Sequence, residues 1–296
     1  MALLMLTIAV GWFANRKGYI NREFSSRLSK FLLDVTVPAV LLSAGMSGDI
    51  SFTPAEAFRL VLTAAVIFLI VAVIAFAVPV ITRAPKDEAG TYRVLATFSN
   101  TIFMGYPVVS AFFGSGAIIY PAIFAIPFNI ALFCFGPAMM GGKTEETGWK
   151  KIFNSGTVFS LLALVVILLP FEMPRLVSEL CSSLGSATSP LALMIIGSNL
   201  ADMPLKKIFA EPRMYLFALF RLIVEPVVCF FILRIFVQDT VVLGCAVIIA
   251  GLPSASTATL LAAKYGGHEE LASQGVMMTT LLSTLTIPAV MLLLFK

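Results

Sequence analysis

The sequence predicts an all-α membrane protein of ten transmembrane helices, arranged as two inverted repeats of five. Three observations predict it. Of 296 residues, 59% are hydrophobic and only 12% are charged, with a mean hydropathy of +0.99, whereas a soluble domain carries roughly 25% charged residues. Apolar segments long enough to cross a bilayer follow one another with short connections. Lys and Arg crowd into every second connection. These segments leave no room for a sizeable soluble domain. The net charge of +4 is no nucleic-acid footprint, because the basic residues sit in short loops between apolar runs.

The segments run over 1–14, 28–46, 57–81, 94–113, 117–140, 154–171, 176–200, 213–237, 240–263 and 271–295. The first is short for a full span. It lacks a basic leader and a small-residue cleavage site, so a retained helix is expected rather than a signal peptide. Cys134, Cys181, Cys229 and Cys245 lie in or beside apolar segments without metal-ligand spacing, and read as packing residues.

One set of loops holds Arg16 to Lys30, Arg83 to Arg93, Lys143 to Lys151, Lys206 to Arg213, and Lys264, which together supply 15 of the 20 basic residues. Positive loops stay cytoplasmic, so both termini are expected on the opposite side. Ten spans then divide into a repeat at 1–140, a cytoplasmic loop at 141–153 and a repeat at 154–296. Five spans per repeat is odd, which forces the second to be inverted relative to the first. Internal echoes agree: Pro38 precedes Gly45 by seven positions, as Pro190 precedes Gly197, and Pro127 and Pro288 mark segments 5 and 10.

Segments 4 and 9 are interrupted. Segment 4 carries Phe98-Ser99-Asn100-Thr101-Ile102-Phe103-Met104-Gly105-Tyr106-Pro107, and segment 9 carries Gly251-Leu252-Pro253-Ser254-Ala255-Ser256-Thr257. Unpaired backbone in lipid costs several kcal/mol, so irregular chain survives only beside protein or a water-filled cavity. A matched pair of interrupted helices is the best sequence-level pointer to a transporter's binding site. Asn100 and Thr101 bring an amide and a hydroxyl, Gly105 permits close backbone approach, and Pro107 removes a donor. Pro253 is expected at a first helical position, with Ser254, Ser256 and Thr257 in the first turn after it. A helix N-terminus there suits an anion and freed carbonyls suit a cation. The bland alternative is a pair of ordinary proline kinks whose hydroxyls bond preceding carbonyls.

Further polar residues are candidates for coupling or charge. Arg221 lies about 12 Å inside segment 8, with Glu225 one turn later on the same face. They form either an internal ion pair or a longer-range attraction for an anion. Asp34, one turn before Pro38, could take a proton or cation or cap a local break. Asn129, Ser198 and Asn199 either line a cavity or bond across helices. His268, the only histidine, falls in a charged loop. No triad, metal cluster or phosphate loop is present in the sequence, and no enzyme is expected.

These residues resemble the auxin efflux carrier family, which includes plant auxin exporters and bacterial malate or malonate permeases. Gly11-Trp12-Phe13, Arg27-Leu28-Ser29-Lys30 and Val37-Pro38-Ala39 look like its first two helices. Asn100 to Pro107 is similar to its Asn-x-Gly-Phe-x-Gly-x-Pro motif. Ala250 to Ala255 followed by Ala262-Ala263-Lys264-Tyr265-Gly266 resembles its ninth helix, and Thr284-Leu285-Thr286-Ile287-Pro288 its tenth. Ile102 stands where the motif often has Gly, and the loop around Lys143 to Lys151 is shorter than in the long plant carriers.

The resemblance implies a fold like that of sodium–proton antiporters and bile-acid symporters, with helices 4 and 9 broken and crossing near their prolines. Helices 3–5 and 8–10 would form a transport domain that shifts like an elevator. Helices 1, 2, 6 and 7 would form a scaffold that pairs into a homodimer. The implied site holds Asn100, Gly105, Tyr106, Pro107, Pro253, Ser254 and Ala255, to which the polar pattern adds Thr101, Ser256 and Thr257. The expected function is secondary transport of a small organic anion, such as malate, malonate or an auxin-like acid, in the bacterial inner membrane. No cofactor or resident metal is expected, and sodium or protons would couple the transport. The alternatives are a carrier that binds chiefly sodium at the crossing and a membrane sensor that binds ligand without turnover.

Overall fold

A computed structural model describes residues 2–46, 52–141, 174–202 and 211–295, with 158, 161, 162, 164, 165, 168 and 208 as isolated positions. Segment 6 and all but the first residue of the 141–153 loop therefore lie outside the described stretches. The described chain is all-helical, and its only extended pairing is one isolated bridge. Five helical stretches are long and apolar enough to cross a membrane: Pro54–Ile81, Ser115–Leu132, Arg175–Ala201, Pro212–Leu233 and Glu269–Leu294. Leu3–Arg16, Thr101–Phe113 and Thr240–Ala250 are shorter apolar helices. The protein is a multi-pass membrane protein.

The α-helices are numbered here as described. They are α1 (Ala2–Arg16), α2 (Arg22–Phe31), α3 (Val37–Met46), α4 (Pro54–Ile81), α5 (Ala89–Thr97), α6 (Tyr106–Phe113) and α7 (Ile119–Met139). After the undescribed stretch come α8 (Arg175–Ser186), α9 (Thr188–Ala201), α10 (Pro212–Leu219), α11 (Glu225–Leu233), α12 (Thr240–Ala250), α13 (Thr257–Tyr265) and α14 (Glu269–Leu294). Local chemistry sets several ends. Asn21 caps α2 by accepting from Phe24 N at 2.8 Å, and Asp239 caps α12 by accepting from Val241 N at 2.8 Å and Val242 N at 3.0 Å. Gly266, at φ +77°, closes α13 in the left-handed region open to glycine.

Three wide π-turns share one cause. Leu32–Thr36, Thr101–Gly105 and Phe220–Val224 each end two residues before a proline, namely Pro38, Pro107 and Pro226. A proline ring collides with the carbonyl four residues back and offers it no N–H, and widening the preceding turn relieves both. Val37 N accordingly reaches Leu32 O, and Glu225 N reaches Phe220 O.

The chain divides into two compact units: Met1–Val61 with Ile102–Ile126 and Phe153–Pro204, and Leu62–Thr101 with Pro127–Ile152 and Leu205–Lys296. In the first, α1 packs along α9, and α8 along α3. Glycine makes the first contact close. A Cβ at Gly11 would overlap the Met194 carbonyl, and one at Gly197 would overlap the Ile8 carbonyl. Small residues at such crossings let membrane helices approach backbone to backbone. Leu32, Ala192 and Ile195 form a buried cluster beside them, with Leu28, Phe103 and Leu191 packed against it.

In the second unit, α14 packs against α5, α10, α11, α12 and α13. At Gly275 on α14 an added Cβ would sit 2.6 Å from Leu95 Cδ1, so that helix lies tight on α5. Tyr92 and Phe217 meet edge to face at 5.8 Å. Arg213 holds Glu211 at 2.7 Å and Glu88 at 3.2 Å near the ends of α10 and α5.

Candidate functional site: two interrupted helices that cap each other

Both interruptions lie in the second unit, where they meet. Helix α5 stops at Thr97, and Phe98 turns to extended backbone (φ −103°, ψ 122°). Helix α12 stops at Ala250, and α13 begins only at Thr257. The residues between pair antiparallel, with Ser99 opposite Ser254. Asn100 N donates to Pro253 O at 2.9 Å, and Ala255 N donates to Phe98 O at 2.8 Å. Each extended stretch thus satisfies backbone groups that the other leaves open, as a low-dielectric interior demands.

The side chains repeat the exchange. Ser254 Oγ donates to Leu95 O at 2.7 Å, near the end of α5, while Ser99 Oγ donates to Ile249 O at 3.0 Å, near the end of α12. The last carbonyls of a helix have no intrahelical partner, and here each first half-helix is capped by a serine from the other interruption. Ser254 N is held by Thr279 Oγ1 at 3.1 Å, and that hydroxyl donates to Gly275 O at 2.7 Å within α14.

Arg221 adds charge to this junction. It is 0% exposed and forms an ion pair with Glu225, itself fully buried. Its Nη1 also donates to Ala250 O at 2.8 Å and its Nη2 to Ser99 Oγ at 2.7 Å. The internal ion pair is therefore the arrangement present. Nε of Arg221 and Oε1 of Glu225 are buried without a hydrogen-bond partner among the described residues.

The breaks fall slightly away from their expected places. In segment 4 the chain leaves the helix at Phe98, upstream of Asn100. Pro107 stands in the first turn of α6, where its missing N–H costs nothing. In segment 9 Pro253, Ser254 and Ala255 belong to the extended stretch, and Ser256 is the N-cap position of α13, so only Thr257 lies in the new helix. The reason is local. A residue before proline is driven out of the helical region, so Leu252 begins an extended run instead of a turn.

The remaining candidates scatter. Asn100 and Thr101 are buried, each 7% exposed, and their side chains make no hydrogen bond to another described residue. Ser256 is exposed, and Thr257 Oγ1 is buried without a hydrogen-bond partner among the described residues. Gly105, Tyr106 and Pro107 are buried in the first unit. Ser198 bonds across helices there, accepting from Asn15 Nδ2 at 3.0 Å and meeting Ser25 Oγ at 3.0 Å. Asp34 is exposed within its π-turn, and Asn199 and Asn129 are half-buried on α9 and α7. An apolar crevice of about 170 Å³ borders Gly251 and Pro226. No polar side chain lines it, so it offers a carboxylate no partner. Among the described residues no group of His, Cys, Asp and Glu could hold a metal ion.

Sequence reasoning passed over Ser99 and Thr279. A serine in both interruptions was the available signal for the first, but Thr279 sits in an uninterrupted helix and carries none.

A many-helix membrane protein with two broken helices joined at their breaks has the build of a transporter. The chain belongs to the membrane transport protein family, of the auxin efflux carrier type, whose family model matches residues 1–147 and 143–291. It is 27% identical over 281 residues, covering 90% of this chain and 86% of the other, to a protein of Rhizobium meliloti named "Putative malonate transporter". It is 22% identical over 306 residues to an "Uncharacterized transporter" of Methanocaldococcus jannaschii, covering 96% and 94% of the two chains. A further "Uncharacterized transporter", from Methanothermobacter thermautotrophicus, is 22% identical over 293 residues, with coverages of 96% and 94%.

Proposed function

We propose that this membrane transporter carries a small organic anion, a dicarboxylate such as malonate or malate, by alternating access around the two interruptions. The observation that carries the reading is the division of labour at the junction. Backbone and serines satisfy one another there, whereas the buried Asn100 amide makes no hydrogen bond to a described residue. An amide both donates and accepts, so it can hold a carboxylate or share a coupling cation. Thr257 Oγ1, buried and without a partner among the described residues, lies at the start of α13. Helix starts favour anions.

In this reading Thr101 and Ser256 flank the site, and Gly105, Tyr106 and Pro107 join it as the continuation of segment 4. Ten spans in two inverted repeats carry it, with both termini outside the cytoplasm. Segments 1, 2, 6 and 7 form the scaffold, and segments 3–5 and 8–10 form a body that moves like an elevator. The grouping of Met1–Val61 with Phe153–Pro204 supports the scaffold half, while Ile102–Ile126 cluster with them as well. The protein would work as a homodimer in the bacterial inner membrane, coupled to sodium or protons. The name of the Rhizobium relative supports malonate as the first substrate to try.

The test is uptake of labelled malonate, malate and indole-3-acetate into proteoliposomes, with and without a sodium or proton gradient. Accumulation of one acid, lost in Asn100→Ala at equal folded amounts, is the expected result. Wild-type uptake in Asn100→Ala refutes the site. Binding without accumulation refutes transport in favour of a sensor.

A further inference from the structure

We infer that Arg221 is a positioning residue that locks the two interruptions in register, with Glu225 as the counter-charge that keeps it in place. Its contacts define the role. One guanidinium nitrogen reaches the Ala250 carbonyl at the end of α12, and the other reaches Ser99 in the extended part of segment 4. One rigid fork from a third stretch of chain therefore grips both broken segments at once, a geometry that suits arginine and not lysine. Ser99 passes the contact on, since its hydroxyl donates to Ile249 O at 3.0 Å. The resulting chain from Glu225 through Arg221 and Ser99 to Ile249 is a polarised hydrogen-bond network, in which each bond strengthens the next.

A substrate-clamping role fits poorly. The side chain is 0% exposed, and both terminal nitrogens are engaged by protein. The pair is also not a general source of stability, because apolar residues of similar size replace buried ion pairs at little cost or with a gain. What it supplies is register. Asn100 is the residue next to Ser99, and its own N–H is part of the pairing, so any slip of the Ser99 stretch carries the Asn100 amide with it. The functional part of this inference rests on the proposal that Asn100 holds substrate; the mechanical part does not.

Hydrogen exchange of the full-length protein in nanodiscs, read on peptides covering 96–104 and 250–258, tests it. The amides of Asn100 and Ala255 are the reporters, since they make the pairing bonds. In Arg221→Met they should exchange about tenfold faster or more, the factor for losing a charged hydrogen bond, while α1 and α9 exchange as in wild type. Arg221→Lys, which can keep one grip but not both, should fall between. Because a lone buried Glu225 can prevent folding, Arg221→Met/Glu225→Leu is the deciding variant. It should melt near the wild-type temperature yet keep the fast exchange. Wild-type protection of both amides in the folded double variant overturns the inference, and so does a uniform acceleration that includes α1 and α9. Malonate-induced thermal shift, measured in parallel on wild-type protein, separates the two proposals. Its absence removes malonate from the site and leaves the exchange result to decide the role of Arg221.

Discussion

Replacing Ser254 with Ala removes one hydroxyl and leaves the rest of the side chain in place. Ser254 is fully buried, and its Oγ donates to Leu95 O at 2.7 Å. Helix α5 ends two residues later, so no further turn supplies Leu95 with a donor. The substitution therefore strands a buried carbonyl, which costs about 1–3 kcal/mol and approaches several kcal/mol if the group behaves as in hydrocarbon. Ser283→Ala is the matched control. Ser283 is equally buried, and its hydroxyl donates to Thr280 O at 2.8 Å. That carbonyl lies inside the unbroken α14 and keeps its helical N–H donor, so the loss there should be about 0.5 kcal/mol. The assay is reversible unfolding of both variants in mixed detergent micelles, at the same protein concentration. A gap of about 1.4 kcal/mol is a tenfold difference in the folded-to-unfolded ratio. Equal losses for the two serines would refute the claim that each interruption caps the other.

Two other outcomes follow from features of the same fold. Gly197→Ala should lower the melting temperature more than Gly18→Ala, because the first drives a methyl into the Ile8 carbonyl while the second meets nothing within 4 Å and pays only for its φ of +79°. The overlap should cost about 1–3 kcal/mol, against about 1 kcal/mol for the left-handed residue, and matching melts would show that α1 and α9 do not need that closeness. In a cysteine-free background, Gln238→Cys should react with an impermeant thiol reagent on intact cells and Lys86→Cys should not; the reverse pattern would overturn the orientation drawn from the basic loops.

Much of the helical plan was legible because apolar segments and their breakers are written plainly in sequence. The segments at 57–81 and 271–295 reappear as α4 and α14 within a few residues, and both interruptions fall inside the runs named for them. What could not be read was the partner of each break. Phe98 leaves the helix because Asn100 N and Phe98 O have somewhere to go, and their acceptor and donor lie more than 150 positions away. Proline position misled for a related reason. Pro107 looks like a terminator, yet proline is comfortable in a first turn, and its real effect is the wide turn at Thr101–Gly105 before it. The same rule would have found the π-turns before Pro38 and Pro226. Arg221 was legible as a buried charge in need of a partner, and Glu225 as that partner. Its reach to Ala250 and Ser99 depends on packing that no local pattern encodes.

The reciprocal capping also has a consequence for how the chain is made. The acceptor of the Ser99 hydroxyl lies 150 positions further on, and the Ser254 hydroxyl serves a carbonyl 159 positions earlier. At about 5–20 residues per second, a ribosome needs roughly 8–30 seconds to deliver the second interruption after the first. Throughout that interval segment 4 is in or near the membrane with its open backbone groups unmet. The nascent chain must therefore wait in a place that supplies water or surrogate partners, such as the insertion machinery, and a truncation before Gly251 would leave it waiting permanently. Quality control that recognises exposed polar backbone in the bilayer would act on such a fragment while sparing the finished protein.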